Sequence, residues 1–459
     1  ANNDIRFDRT SEEQLVNNQR MIIEHTLTFE KQLNPDHRLM FFGGYNFEFA
    51  NYETNYGYTV HSTSDDFQGL GDGLKIAMSG VDETYHNVSF FANIDYGFRD
   101  KYLLKIGARM DGSSKFGSDA GGLSFGNVPF AFLPYVGGTW RIRTEPWMRQ
   151  ATFIDDLNLR ASWGMTANQD IPINARYSLY EKKFYTFRPG LAPFSVGNPE
   201  IKWETTNNFN VGLDFSFLRK KLTVGLDYFN TKTRDLLLPK TIDGANGFST
   251  YWANEGNMKN HGFELAINTL GTFGDIIWRA GFNIAKYKNK VSELPGTQFV
   301  ADGINGFTSV ARNGEEAGLI CGYRSLGVFK TTEEVNAAGL MNSRGGRYVA
   351  GDTHFADIKA DGIINEEDMC VIGNPNPDFF GGITAGFSYK NFDLDAVFTY
   401  TYGNDILNVL CMKLETGAGY ENQSQIVLDR WQTQGDITNI PNVRYGDPAG
   451  NRLPSSAYI

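Results

Sequence analysis

From Asn207 to Phe217 the chain reads NNFNVGLDFSF, with an apolar side chain at every second place. Successive side chains of an extended chain point to opposite sides. Phe209, Val211, Leu213, Phe215 and Phe217 therefore share one face of a strand, and Asn208, Asn210, Gly212, Asp214 and Ser216 share the other. The apolar face needs either a protein core or lipid against it. No stretch approaches the roughly 18 consecutive apolar residues of a membrane helix. The chain is thus water-soluble, or it crosses a bilayer with strands whose membrane face is hidden in the alternation.

The pattern recurs from end to end. It predicts about twelve strands, at roughly residues 19–31, 38–50, 86–98, 101–111, 132–143, 155–164, 204–217, 221–234, 259–270, 276–290, 379–390 and 392–403. Many are near the roughly ten residues that a tilted membrane strand needs. The connections alternate as strictly as the side chains. LNPD, FRD, LRKK, GTFGD and KN are short, and between them lie the long segments 51–85, 112–131, 165–203, 235–258, 291–378 and the tail from 403. Only the short-side join at 144–154 is of middling length. Tight turns on one side and long loops on the other are the habit of a transmembrane β-barrel. The second face agrees, because Asn208, Asn210, Asp214, Arg160, Ser162, Asp393 and Asp395 suit a wet lumen better than a closed core. Trp140, Trp163, Tyr228, Tyr389 and Tyr400 fall near strand ends, where aromatic girdles sit. The competing reading is a soluble β-sandwich with one wet face per sheet.

The net charge of −11 and the lack of a basic run argue against a nucleic-acid partner. Cys321, Cys370 and Cys411 are far apart and odd in number, so they signal neither a zinc site nor a disulfide framework. Ala1–Thr10 is polar and mixed in charge and carries no signal-peptide pattern. HExxH and P-loop motifs are absent. The adjacent acids Asp155–Asp156 and Glu366–Glu367 make poor acid/base partners, so no catalytic site is expected.

Six phrases resemble the SusC/RagA group of TonB-dependent outer-membrane transporters, in that group's order. They are KYLLKIGARMDGSSKFG from Lys101, LNLRASWGMTANQDI from Leu157, GNPEIKWETTNNFNVGLDF from Gly197, YFNTKTRDLLLPKTI from Tyr228, NEGNMKNHGFELAI from Asn254 and VIGNPNPDFFGGITAGFSYKNFDL from Val371. The resemblance implies a barrel of about 22 strands around a plug domain. It implies TonB-powered import of oligosaccharides or peptides, with a SusD-like surface lipoprotein as a lid. No plug-like or TonB-contacting segment is visible in this chain, and its end resembles a point just before further strands. The expectation is therefore an all-β, antiparallel partial barrel over residues 1–459, an internal piece of a longer protein whose partners include its other parts, lipid and, through the N-terminal part, TonB. The rivals are a passive or secretory outer-membrane barrel and a soluble β-rich carbohydrate-processing enzyme.

Three loop segments carry candidate roles. DIKADGIINEED, Asp357 to Asp368 within the long outer loop 291–378, fits a twelve-residue calcium loop: Asp357, Asp361, the Ile363 carbonyl, Asn365 and Asp368 would be the ligands, with Gly362 at the turn. Lys359 stands where an oxygen ligand is normal, so the loop reads either as a structural Ca²⁺ or Mg²⁺ site or as a metal-free Asp/Gly turn. GFSTYWANEGN, from Gly247, gathers Phe248, Tyr251, Trp252 and Asn254, aromatic faces and an amide suited to a sugar or peptide, or to loop packing. NQSQIVLDRWQTQ, from Asn422, reads as a short amphipathic helix packed through Ile426, Leu428 and Trp431.

Overall fold

The computed structural model describes residues 9–459 except 65, 67, 68, 72, 126, 127, 187, 249, 297, 303–305, 416 and 418–421. The opening stretch 1–8, read above for a signal peptide, lies outside the described residues. The long strands are β1 (Thr10–Asn34), β2 (His37–Val60), β3 (Leu74–Phe98), β4 (Tyr102–Ser113), β5 (Val128–Arg141) and β6 (Ile154–Asn168). They continue with β7 (Glu204–Phe217), β8 (Leu222–Arg234), β9 (Asn257–Phe273), β10 (Ile276–Glu293), β11 (Phe379–Tyr389) and β12 (Phe392–Tyr402). Among the described residues no helix is long and apolar enough to cross a membrane, which says nothing about crossing by strands.

The chain divides into two units, Ala1–Thr152 with Asp156–Leu213 and Thr231–Glu255, and Phe153–Asp155 with Asp214–Asn230 and Gly256–Ile459. In the first, β1 to β7 neighbour one another in sequence order. In the second, β8 to β12 do the same. Each hairpin whose register is defined is antiparallel. Register aligns the apolar side chains across neighbouring strands. Tyr102 faces Trp140, Ile106 faces Val136, and Val136 faces Trp163 in the first unit. Ile267 faces Phe282, Phe282 faces Ile383, and Ile383 faces Phe398 in the second. A shift of one residue would turn this whole face over.

Strands β1 to β3 run far past the expected limits. Their extra segments, 10–18, 51–60 and 74–85, pair throughout apart from a bulge at Ile76. The segment 10–18 does not alternate. In 51–60 the alternation is carried by Tyr52, Tyr56 and Tyr58, whose rings suit water as well as an apolar face, and in 74–78 the apolar run is short, so the two-residue signal is weak there. The middling join after β5 holds two 3₁₀ turns, Ile142–Thr144 and Pro146–Met148, so the strand stops at Arg141, short of the expected limit.

The long connections have structure of their own. Leu179–Tyr185 pairs with Arg188–Ser195, and Leu237–Thr241 pairs with Thr250–Asn254. The 294–378 connection contributes Gln298–Asp302, Thr308–Arg312, Leu319–Gly322 and Cys370–Gly373 to a small sheet. It also carries helix α1 (Thr332–Ala338), whose first turn is capped by the Thr331 hydroxyl accepting from Glu334 N at 3.3 Å. The expected amphipathic helix in the tail is a correction. Only Gln425–Asp429 turns, as a 3₁₀ segment, and it buries Val427 while Ile426 and Leu428 stay exposed. The Asp436 carboxylate accepts from Gln432 N and Thr433 N, 2.9 and 2.8 Å, which takes those amides out of any helix. Trp431 is held instead by its Nε1 donating to Lys330 O at 3.1 Å.

Candidate functional site: the lumen wall and the outer loops

The polar faces of the strands are cross-linked. In the first unit, Glu48 accepts from Arg20 Nε at 2.5 Å, Asn87 Nδ2 at 3.1 Å and Tyr85 OH at 3.4 Å. Arg109 bonds Asp111 at 2.5 Å and Ser89 at 2.8 Å. A groove of about 460 Å³ on this face is lined by Arg38, Asp95, Lys105, Arg160 and Asn210 among others. In the second unit, Arg279 on β10 reaches across β11 to Asp395 on β12 with bonds of 2.8 and 3.1 Å. Gly386 lies between them, and a Cβ there would stand 2.4 Å from Arg279 Nε. A wall bearing charged pairs and amides on one side and Phe, Leu and Ile on the other is built for water within and lipid without.

Outer loops pack onto the polar side of β5. Phe116 and Ile201 have no exposed surface and join Ile171, Trp203 and Leu237 against Ala131 and Leu133. The Phe116 and Trp203 rings lie 4.5 Å apart. Gly117 N donates to Ile201 O, and a Cβ at Gly117 would come 1.8 Å from the Pro199 carbonyl oxygen. Lys115 is half-buried in this cluster, with its ammonium 4.8 Å from the Tyr85 ring centre, and burial pushes its pKa down. The phrases from Lys101, Leu157, Gly197 and Tyr228 thus meet in one loop core.

The four aromatic-loop residues part ways here. Asn254 Nδ2 donates to Lys202 O and Asp235 O, 2.7 and 3.1 Å, while its Oδ1 accepts from Lys202 N at 2.8 Å. Trp252 packs on the loop core, and its carbonyl accepts from Asn198 at 2.9 Å. Tyr251 faces Lys240 across the hairpin, and Phe248 follows the turn at its tip; both are half-buried.

In Asp357–Asp368 the carboxylates hold backbone amides. Asp357 accepts from Asp361 N and Gly362 N at 3.3 and 2.8 Å, and Asp361 accepts from Ile363 N at 2.9 Å. Asp368, wholly buried, accepts from Ile358, Lys359 and Asn365 N at 2.9, 3.1 and 2.9 Å. Asn365 accepts from Glu367 N at 2.8 Å. The Lys359 ammonium bonds Glu367 and lies 3.5 Å from Asp361, and these acids raise its pKa. Among the described residues no group of three His, Cys, Asp or Glu side chains gathers to hold a metal.

Two hubs were not singled out from sequence. Asp352, wholly buried, accepts from Val349 N at 2.8 Å and Asn451 Nδ2 at 3.2 Å and pairs with Arg444. Glu145 accepts from Tyr102 OH, Trp140 Nε1 and Lys101 Nζ at 2.7, 3.1 and 3.2 Å. Each also draws on donors far away in sequence, Asn451 and Arg444 for Asp352 and Lys101 and Tyr102 for Glu145, so no local spacing marks them.

Residues 2–357 match the family described as TonB dependent receptor-like, beta-barrel. The chain belongs to this family. It is 30% identical over 449 residues to a TonB-dependent receptor of Formosa agariphila, covering 95% of this chain and 44% of that protein. It is 28% identical over 364 residues to the TonB-dependent receptor SusC of Bacteroides thetaiotaomicron, covering 73% of this chain and 34% of SusC. Its fold matches the structure of the RagAB peptide transporter with a TM-score of 0.77 at 21% identity, over 96% of this chain and 48% of that one. The chain spans less than half the length of these relatives, which are receptors and transporters rather than enzymes. As a TonB-dependent receptor barrel segment it lies in the outer membrane.

Proposed function

We propose that this chain supplies central wall strands and outer loops to a TonB-dependent importer of oligosaccharides or peptides, working with a SusD-like surface lipoprotein. Membership of the receptor barrel family carries the reading. The likeness to SusC and to the RagAB peptide transporter supports the cargo class and the lipoprotein partner. Cargo meets a wall of amides and paired charges, which exchange hydrogen bonds with a polar oligomer as water does. Tyr251 and Phe248 are its aromatic contacts, while Trp252 and Asn254 hold their hairpin in place. A plug in the whole protein, moved through TonB, would open the path. The test is uptake of labelled oligosaccharides and peptides by cells carrying the full-length protein, with and without TonB. Uptake should vanish without TonB; uptake that persists would make this a passive barrel.

For the loop Asp357–Asp368 we propose that the Lys359 ammonium supplies the positive charge that a Ca²⁺ or Mg²⁺ would otherwise bring. Its two acidic partners and the engagement of Asp357 and Asp368 with backbone amides support this.

A further inference from the structure

On the lipid-facing side of the first unit, one place is scooped out. Leu104 faces Gly138 and Gly138 faces Ala161, so two of three neighbours in that row have almost no side chain. The next row toward the turns is Tyr102, Trp140 and Leu159, and the row on the other side is Ile106, Val136 and Trp163. The bare row, with Tyr102, Trp140 and Leu159 beyond it toward the turns and Tyr96, Phe98 and His37 at its edge, leaves a groove of about 680 Å³ with a mostly apolar lining.

The groove is preformed at its turn end. Glu145 ties down the polar tips of Tyr102 and Trp140, whose rings stack at 6.4 Å. Near the Glu145 hub, and by the Phe98 ring that stacks on Tyr102 at 6.3 Å, stand two cations. Lys101 spends one of its three donors on Glu145, at 3.2 Å. Arg99 lies over the Phe98 ring at 5.1 Å, is half-exposed, and bonds Asp36 at 3.1 Å. The short turns of an outer-membrane barrel are periplasmic, so this apolar slot with a cationic end sits at the periplasmic leaflet.

We propose that the groove over Gly138 and Ala161 binds an acyl chain of a periplasmic-leaflet glycerophospholipid, whose phosphate is held by Lys101 and Arg99. The acyl chain fills a defect that mobile bulk lipid packs badly. The phosphate meets two donors at the interface, where charge is only partly screened. The preset Tyr102 and Trp140 rings reduce the ordering cost of binding.

The experiment is native mass spectrometry, with lipid identification, on the full-length protein extracted from outer membranes in mild detergent. Gly138→Leu fills the slot; a Cβ at Gly138 has nothing nearer than 3.7 Å, so the strand accepts it. Lys101→Gln leaves the slot and removes a charge, which keeps the question answerable if the first variant assembles poorly. The wild type should retain one phospholipid per barrel, and each variant should lose at least about tenfold in occupancy while keeping its folded electrophoretic mobility. Equal retention by wild type and both variants would mean annular lipid only and overturn the site. Lipopolysaccharide in place of phospholipid would put the groove against the other leaflet and overturn it as well.

Discussion

Asp352 has no exposed surface and answers three donors from separate stretches of the second unit: Val349, Asn451 and Arg444. Removing it leaves the Val349 and Asn451 donors without an acceptor, at a cost of about 1–3 kcal/mol each. Asp352→Ala should therefore loosen residues 323–355 and 444–451, read as faster amide hydrogen exchange there and unchanged exchange in β9 to β12. Glu145 makes a different prediction. Hydrogen bonds from Tyr102 and Trp140, then from Lys101, hold its carboxyl below the usual carboxylate range. A depressed folded-state pKa gives stability that is full above the unfolded value and lost as pH falls through the folded one. Protection of amides 142–148 should thus weaken as the medium is acidified below the ordinary carboxylate range, and Glu145→Gln should flatten that dependence. An acid-independent wild type would show that the hub does not hold the turn.

Strands and loops differed in how legible they were. Within the bilayer a strand has one apolar and one polar face, and that contrast wrote β7, β11 and β12 into the sequence almost residue by residue. Past the expected limits of β2, the alternation in NYETNYGYTV is carried by Tyr52, Tyr56 and Tyr58, and an amphipathic ring suits a wet face as well as an apolar one, so periodicity did not extend the strand to them. The loops were legible as phrases rather than as geometry. Nothing in DGSSKFG or GNPEIKW says that Phe116 and Gly117 close against Pro199, Ile201 and Trp203. That contact is testable, because Gly117→Ala drives a methyl into the Pro199 carbonyl. It should leave the strands assembled but make 114–120 and 197–203 sensitive to protease on intact cells; unchanged resistance would mean the loop shifts freely. The calcium-like spacing was legible too, and Lys359 was the residue that split its two readings. Lys359→Asn should create calcium-dependent thermal stabilisation that the wild type lacks. Stabilisation of the wild type by calcium would overturn the ammonium's role.

The whole molecule rests on the assignment of faces. The family establishes a barrel in the outer membrane, and the two-sided strands give that statement a residue-level meaning. Candidate site residues were the least visible part. The same aromatic and amide side chains serve packing and binding alike, and only three-dimensional partners separate Asn254 and Trp252 from Tyr251 and Phe248. The most direct measurement scans one strand with single spin labels at Phe209, Asn210, Val211, Leu213 and Asp214. It uses the full-length protein in lipid vesicles, with the native cysteines replaced. Collisions with oxygen, which concentrates in lipid, should be frequent at 209, 211 and 213 and rare at 210 and 214; a water-soluble nickel complex should show the reverse. Equal access along the strand, or the opposite order, would contradict the assignment of Phe209, Val211 and Leu213 to the membrane.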